Sequence, residues 1–341
     1  MTASVADRVM TTLLLHTEAA TMVLGDRLGL WSALAGRPLS AEEAAEACGV
    51  APRYAREWCE AMAVSGWLEL AGGRYRVAEA AVPVLADPTS PAYLMPQLRQ
   101  TTAAISSLRA LEAAYRTGTG LAWADHDPDV RESQGAGNAM TLRDDLPGWV
   151  ETHLPELAGR LREAGGRIAD VGCGYGWASV GLATRFPLAT VDAFDPDSPS
   201  ADAAARHCTG LAVTVHDRAL KAGDGPFDLV VMAEMLHDVP DPVAVLHSAA
   251  ECLAPDGVVL VVDMAAADRL ETPGDDVQRL LYGWSLLMCL PDSMATPGSA
   301  ATGAVMRRDT FARHVAAAGL RVREELPVVH DVWRFSVLTP A

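Results

Sequence analysis

Five short apolar runs, RIADVG, ATVDAF, LAVTVH, FDLVVMAE and GVVLVVDM, succeed one another from residue 166 onward, with Ala-rich stretches of helical spacing between them. Runs this uniformly apolar belong to strands covered on both faces, and strands that alternate with helices pair in parallel. The second half of the chain is therefore predicted to be an α/β domain whose ligands bind beyond the carboxyl ends of the strands. A chain of 341 residues has room for a second domain besides.

The stretch DVGCGYGW, residues 170–177, directly follows the first of these runs. A glycine-rich turn between a first strand and a first helix lets a nucleotide-like ligand approach the backbone closely. The dinucleotide fingerprint G-x-G-x-x-G is not met. Gly172 and Gly174 fit, but the third place holds Trp177, and Gly176 gives D-x-G-x-G-x-G instead. Asp170, just ahead of the loop, would repel a pyrophosphate and suits a cationic ammonium group. Asp195 ends the next run, where a carboxylate accepts both hydroxyls of a ribose, and Asp217 ends the third, at the edge an adenine amine would meet. Ammonium, ribose and adenine together describe S-adenosylmethionine rather than NAD.

Residues 1–95 read differently. LGLWSALAGRPLSAEEAAEACGV places Ser40 as an N-cap with Glu43 three residues on, a capping box. VAPRYAREWCEAMAVSGWLEL is a second amphipathic helix, and WLELAGGRYRV a hairpin with a Gly-Gly turn. Helix, helix and hairpin make a winged helix. Its seven arginines and no lysine face eleven acids, within a chain whose net charge is −17, so no basic face is available for nucleic acid. Trp58 and Met62 are expected on an exposed packing face, which makes residues 1–95 the candidate interface of a homodimer. Residues 96–160 read as a helical linker and substrate lid, broken by the loop TGTGLAWADHDPDV, and 161–341 as the catalytic domain. No run reaches the length of a membrane span, and nothing at the N-terminus reads as a signal peptide, so a soluble cytoplasmic protein is expected. Six scattered cysteines, with no CxxC pair, argue against both a disulfide framework and a zinc cage.

RIADVGCGYGWASVGLATRFP, FDLVVMAEMLHDVPDP and LAPDGVVLVVDM resemble the ordered motifs of class I S-adenosylmethionine-dependent methyltransferases. The resemblance is closest to the winged-helix subset of small-molecule O-methyltransferases, and it extends over nearly the whole chain. It implies a Rossmann-like seven-strand sheet ending in an antiparallel hairpin, for which LRVREELPVV and VWRFSVLTP are suited, and it adds Glu234 to the donor site. It also implies that His237, followed by Asp238, is the general base, a role that imidazole suits near neutral pH. The competing reading is that Asp238 or Asp241 merely caps the next helix. One departure stands out. The subset orients its histidine with a second acid near the C-terminal strands, yet VVHDVWRFSVLTPA lacks a glutamate there and Asp331 cannot be assigned to the role.

The similar segments of the subset place Asn138 and Met140 in QGAGNAMTLRDDLPGWV over the donor and acceptor, with Trp149 beside them. YGWSLLMCLPDSM offers Tyr282, Trp284, Met288 and Cys289 as a soft wall for an aromatic or polyketide-like acceptor. Each of these also fits a helix core. His126, in ADHDPD, is read as solvent-exposed, and His237 with Asp238 alone makes no metal cluster, so no metal is expected. The leading reading is methyl transfer to oxygen of a small molecule. N- or C-methylation, a non-methylating reaction assisted by the sulfonium, and a ligand-responsive DNA-binding regulator are the alternatives.

Overall fold

The computed structural model describes residues 4–341, which form two compact units: the chain to Ala103 with Glu132–Gly137, and Ala104–Arg131 with Asn138–Ala341. The stretch 96–160, expected as one linker and lid, is divided between them.

The first unit opens with a long helix, Val5–Arg27, held at its start by a capping box between Ser4 and Asp7. The expected winged helix follows as helices Leu30–Gly36, Ala41–Cys48 and Pro52–Val64 and the antiparallel strands β1 (Leu68–Ala71) and β2 (Arg74–Val77). Ser40 caps Ala41–Cys48 reciprocally with Glu43. Gly72 and Gly73 both take positive φ in the turn, which residues with a side chain rarely adopt. Trp58 and Met62 are not exposed as expected. Trp58, 5% exposed, packs edge-on against Trp31 at 5.0 Å and donates its indole N–H to the carbonyl of Thr21. The amphipathic pattern identified the apolar face of this helix, but the long helix before it covers that face. Apolar exposure lies instead on Val5–Arg27, where Val9, Met10, Leu13 and Leu14 face solvent.

The second unit is built on seven strands: β3 (Gly166–Val171), β4 (Ala189–Asp195), β5 (Val213–Asp217), β6 (Phe227–Ala233), β7 (Leu253–Met264), β8 (Leu320–Glu325) and β9 (Trp333–Pro340). Their order across the sheet is β5-β4-β3-β6-β7-β9-β8. The first five strands in chain order are parallel, and β9 inserts antiparallel between β7 and β8. Ile168, Leu229, Val231 and Leu260 feed the core on one face, whereas Val171, Val230, Met232 and Val261 feed the core on the other. Uniformly apolar runs are thus what a sheet covered on both faces requires. The chain reverses order between β4 and β6 on either side of β3, and the carboxyl ends of those strands gather at one edge.

Helix Trp177–Arg185 follows the glycine turn and packs so closely on the π-helical turn Thr141–Asp145 that a Cβ on Gly181 would lie 2.3 Å from the carbonyl oxygen of Arg143. Alanine at a free helical glycine gains roughly 1 kcal/mol of propensity, whereas overpacking costs about 1–3 kcal/mol. Gly181→Ala should therefore lower the melting temperature, while Gly159→Ala, in helix Pro155–Glu163 with open space around its Cβ, should raise it. Thermal denaturation of both variants checks this, and a stabilised Gly181→Ala would contradict the packing.

Candidate active site

The glycine turn leaves β3 with Gly172, Gly174 and Gly176 all at positive φ. A Cβ on Gly172 would meet Met235 at 2.8 Å, so only glycine lets the turn pass beneath the segment after β6. Above Gly174 nothing lies within 4 Å of such a Cβ, which leaves an open place directly over the backbone. Trp177, at the position of a third glycine, is half-buried against the core and stacked on His207 with ring centroids 4.1 Å apart. His207 also bonds through Nδ1 to the carbonyl of Tyr175 at 2.9 Å, which braces the turn.

Three acids stand at strand ends around this turn. Asp195, at the end of β4, accepts the N–H of Gly174 at 2.8 Å through one oxygen and that of Asp197 at 2.9 Å through the other. Burial pushes its carboxyl up, against the pull of these two bonds. Each oxygen keeps a further lone pair for another donor. Asp217, exposed at the end of β5, accepts from the Ser198 hydroxyl at 2.8 Å. Asp170 is almost wholly buried, and one of its oxygens accepts both the N–H and the hydroxyl of Ser179, at 3.0 and 2.6 Å. That oxygen ties β3 to the first turn of the following helix rather than facing a ligand.

Beyond β6 the chain passes through Glu234 at φ 51° and returns to His237, which is 1% exposed. His237 Nδ1 lies 2.5 Å from an oxygen of Asp263 on β7, and neither side chain meets solvent. A carboxylate of this kind only accepts, so Nδ1 carries the proton and Nε2 is left as the basic nitrogen. Nε2 faces Asp238 at 3.3 Å, with the thiol of Cys289 beside both. Burial pushes the imidazolium down, but Asp238 and Asp263 outweigh it and raise the histidine well above its ordinary value. Asp238 is no helix cap: Asp241 takes that role by accepting the N–H of Ala244 at 2.9 Å. Asp292, half-buried and near Asp238, is pushed up to about 7, mainly by desolvation.

The orienting acid sought near the C-terminus is therefore Asp263. It ends the run GVVLVVD, and an acid closing so apolar a strand was its only signal in the sequence. Trp333, unremarked in the sequence, donates its indole N–H to Glu234, and Asn138 donates its amide to the same carboxylate. Asn138 is thus fixed at the edge of the site, on the helix Pro128–Met140 that Met140 ends. Met288 is buried in the π-helical turn Ser285–Cys289 next to Cys289. Two other predicted residues lie apart from this cluster. Trp149 packs edge-on against Phe335 at 4.8 Å, and Tyr282 accepts a bond from Arg307 at 2.9 Å while lining an outer groove with Leu270 and Gln278. His126 is buried at 6% exposure, not solvent-exposed as expected, and neither ring nitrogen has a partner.

Desolvation raises Asp170 to about 6, so the folded chain holds this proton more tightly than the unfolded one. Its stabilising share is therefore present at acid pH and is lost as pH rises from about 4 through about 6. Asp170→Asn keeps an acceptor for Ser179 and cannot ionise. Between pH 4 and 7 it should gain stability relative to the parent chain, by at most about 3 kcal/mol. Parallel melting curves across that range would overturn the assignment.

Residues 145–325, more than half the chain, match the Methyltransferase domain family, and residues 17–79 match the Rv2258c-like winged HTH domain. The ubiquinone biosynthesis O-methyltransferase of Xanthomonas axonopodis pv. citri (strain 306) is 36% identical over 110 residues, 30% of this chain and 45% of that protein. The same enzyme of Caulobacter sp. (strain K31) is 34% identical over 112 residues, 31% and 44% of the two chains. The chain thus spans less than half the length of these curated relatives. Among solved structures, an O-methyltransferase family protein from Burkholderia thailandensis is similar with a TM-score of 0.72 at 19% identity, covering 100% of this chain and 99% of its own. Mitomycin 7-O-methyltransferase gives 0.72 at 20% identity over 98% of each chain, and human N-acetylserotonin methyltransferase, solved with S-adenosylmethionine, gives 0.69 at 16% over 99% of each. At such identities the likeness is one of fold. With its glycine turn, its strand-end acids and a family match over more than half its length, the chain belongs to the methyltransferase-domain family.

Proposed function

We propose that this chain transfers a methyl group from S-adenosylmethionine to an oxygen of a small-molecule acceptor, with His237 as general base. The observation that carries the reading is the buried Asp263–His237 pair, which leaves Nε2 as the basic nitrogen at the carboxyl edge of the sheet. The residues present suit the donor. The open place over Gly174 admits a ligand against the backbone, and Asp195 has lone pairs left for ribose hydroxyls. Asp217 would meet the adenine amine, and the Asp170 oxygen not committed to Ser179 would face the ammonium. Glu234, already taken by Asn138 and Trp333, would act on the donor side chiefly by fixing Asn138. S-adenosylmethionine, when bound, supplies an electrophilic sulfonium methyl group.

The chain's own work is to hold the acceptor in line and to receive its proton. His237 Nε2 takes the hydroxyl proton, and the imidazolium so formed is stabilised by Asp263 behind it and Asp238 beside it. Met140, Met288 and Asn138 would bound the acceptor, which we read as aromatic or polyketide-like, in keeping with fold neighbours named for mitomycin and N-acetylserotonin. A reducing compartment such as the cytoplasm suits the six free cysteines, and among the described residues no helix is long and apolar enough to cross a membrane.

Two variants test the reading together. His237→Ala should lower kcat by roughly 10²–10⁴-fold with donor affinity unchanged. Asp195→Ala should weaken donor binding by about 1–3 kcal/mol, since ribose hydroxyls lose their acceptor. Neutral imidazole is the active form and the histidine is raised, so the rate should climb with pH along a limb lying above pH 6.5. Asp238→Asn, which removes one anion, should move that limb to lower pH. Near-full turnover of His237→Ala would exclude the base and favour a nitrogen or carbon acceptor that needs none.

The exposed stripe Val9, Met10, Leu13 and Leu14 supports a homodimer formed through the first unit. Light scattering should report a dimer at micromolar concentration, and Leu13→Asp combined with Leu14→Asp should yield a folded monomer. A dimer that survives both changes would refute this interface.

A further inference from the structure

We propose that His237, Asp238 and Cys289 together bind one divalent cation of the zinc class. Cys289 belongs to the π-helical turn Ser285–Cys289, far along the chain from the segment after β6 that carries the other two. The fold nevertheless brings one donor atom of each to within 4.8 Å of the others. Ligands bound at about 2.0–2.3 Å to a tetrahedral zinc stand roughly 3.3–3.8 Å apart, and His237 Nε2 already lies 3.3 Å from Asp238 Oδ1. A small rotation of the cysteine side chain would complete the set.

Two further observations point to a cation. Asp238 Oδ1 is shut off from solvent, although the side chain as a whole is 28% exposed, and it stands against His237 Nε2 at 3.3 Å and the Cys289 thiol. A carboxylate oxygen closed to water is costly to keep charged, and a bound cation relieves it. Behind the histidine, Asp263 accepts the Nδ1 N–H at 2.5 Å, which is how a carboxylate holds a metal-ligating imidazole in the right tautomer. The donor set of one imidazole, one carboxylate and one thiol selects zinc over magnesium or calcium. On binding, the Cys289 thiol proton and any proton on His237 Nε2 are released to solvent, and thiolate and carboxylate then balance the charge of a divalent ion around a neutral imidazole. Three protein ligands leave a fourth position free. Nε2 cannot hold a cation and receive a proton at once, so the cation would switch off the base proposed above. Only that consequence rests on the methyl-transfer reading.

Equilibrium dialysis of the full chain against zinc, followed by metal analysis, should find about one ion per chain in excess of that bound by Cys289→Ser. Cobalt should give a thiolate-to-metal charge-transfer band in the near ultraviolet that Cys289→Ser and Cys289→Ala both lack. Asp263→Asn should weaken zinc binding about 10–100-fold, the usual effect of losing a carboxylate behind a ligating histidine. Magnesium should not compete. Circular dichroism establishes that each variant is folded. Zinc binding equal in parent and Cys289→Ser, or a band that persists in both cysteine variants, would overturn the site. These readouts need neither donor nor acceptor, so they stand even where no methyl transfer is found. Conversely, a chain that binds no zinc but loses turnover on His237→Ala would retain the base and lose only the cation.

Discussion

A hydrogen bond of 2.5 Å between His237 and Asp263, closed to water on all sides, sets the geometry of the whole site. Parallel pairing places Ala233, the last residue of β6, opposite Val262 of β7, so β7 runs on past β6 and Asp263 stands one residue beyond their last pair. The histidine is several residues beyond its own strand and must be turned back to reach it. Glu234 provides the turn at φ 51°, a conformation unfavourable to any residue with a Cβ by roughly 1–2 kcal/mol. Its N–H donates to the carbonyl of Val262 at 2.8 Å, and its carboxylate takes Trp333 and Asn138. The strained residue is thus fixed from β7, from β9 and by Asn138 at once. The loop that follows is anchored too, since Gly303 donates its N–H to the carbonyl of His237 at 3.0 Å.

Electrostatics follow from that placement. Asp263, Asp238, Asp292 and Glu234 gather near one imidazole that is itself closed to water. Desolvation drives Glu234, Asp238 and Asp292 upward, the last to about 7, while the histidine is carried the other way relative to what burial alone would do. Several acids therefore compete for the compensation that a single cation gives. This makes the cluster receptive to an added positive charge, whether a proton on Nε2 or a metal ion.

The parallel strands, the glycine turn and the capping box at Ser40 were legible because each depends on neighbours in sequence: apolar runs, positive φ and side chains three residues apart. What was hidden depends on contacts between distant segments. The apolar face of Pro52–Val64 was plain in the sequence, but Thr21 and Trp31, which help to cover Trp58, lie on earlier helices. His126 looked polar and loop-borne, yet its loop is tied down by the bond of the Trp123 N–H to Asp292 at 2.7 Å. Cys289 looked like one of several apolar wall residues until the π-helical turn set it beside His237 and Asp238. The acid that orients the histidine was sought in the last strands because the resemblance pointed there, whereas strand register puts it on β7.

The raised histidine bears directly on which acceptors the proposed reaction suits. A phenol titrates near 10 and an unperturbed imidazole near 6.5, so proton transfer between them is uphill by about 5 kcal/mol before the methyl group moves. Each unit by which Asp238 and Asp263 raise His237 removes about 1.4 kcal/mol of that cost. The same shift reduces the neutral fraction of the base at physiological pH, so basicity and availability trade against each other. An acceptor whose hydroxyl is made acidic by an electron-poor aromatic ring would need little help, and a histidine near its ordinary value would serve it well. A site that raises its base is better matched to an electron-rich phenol or an alcohol, where the proton is the harder thing to remove.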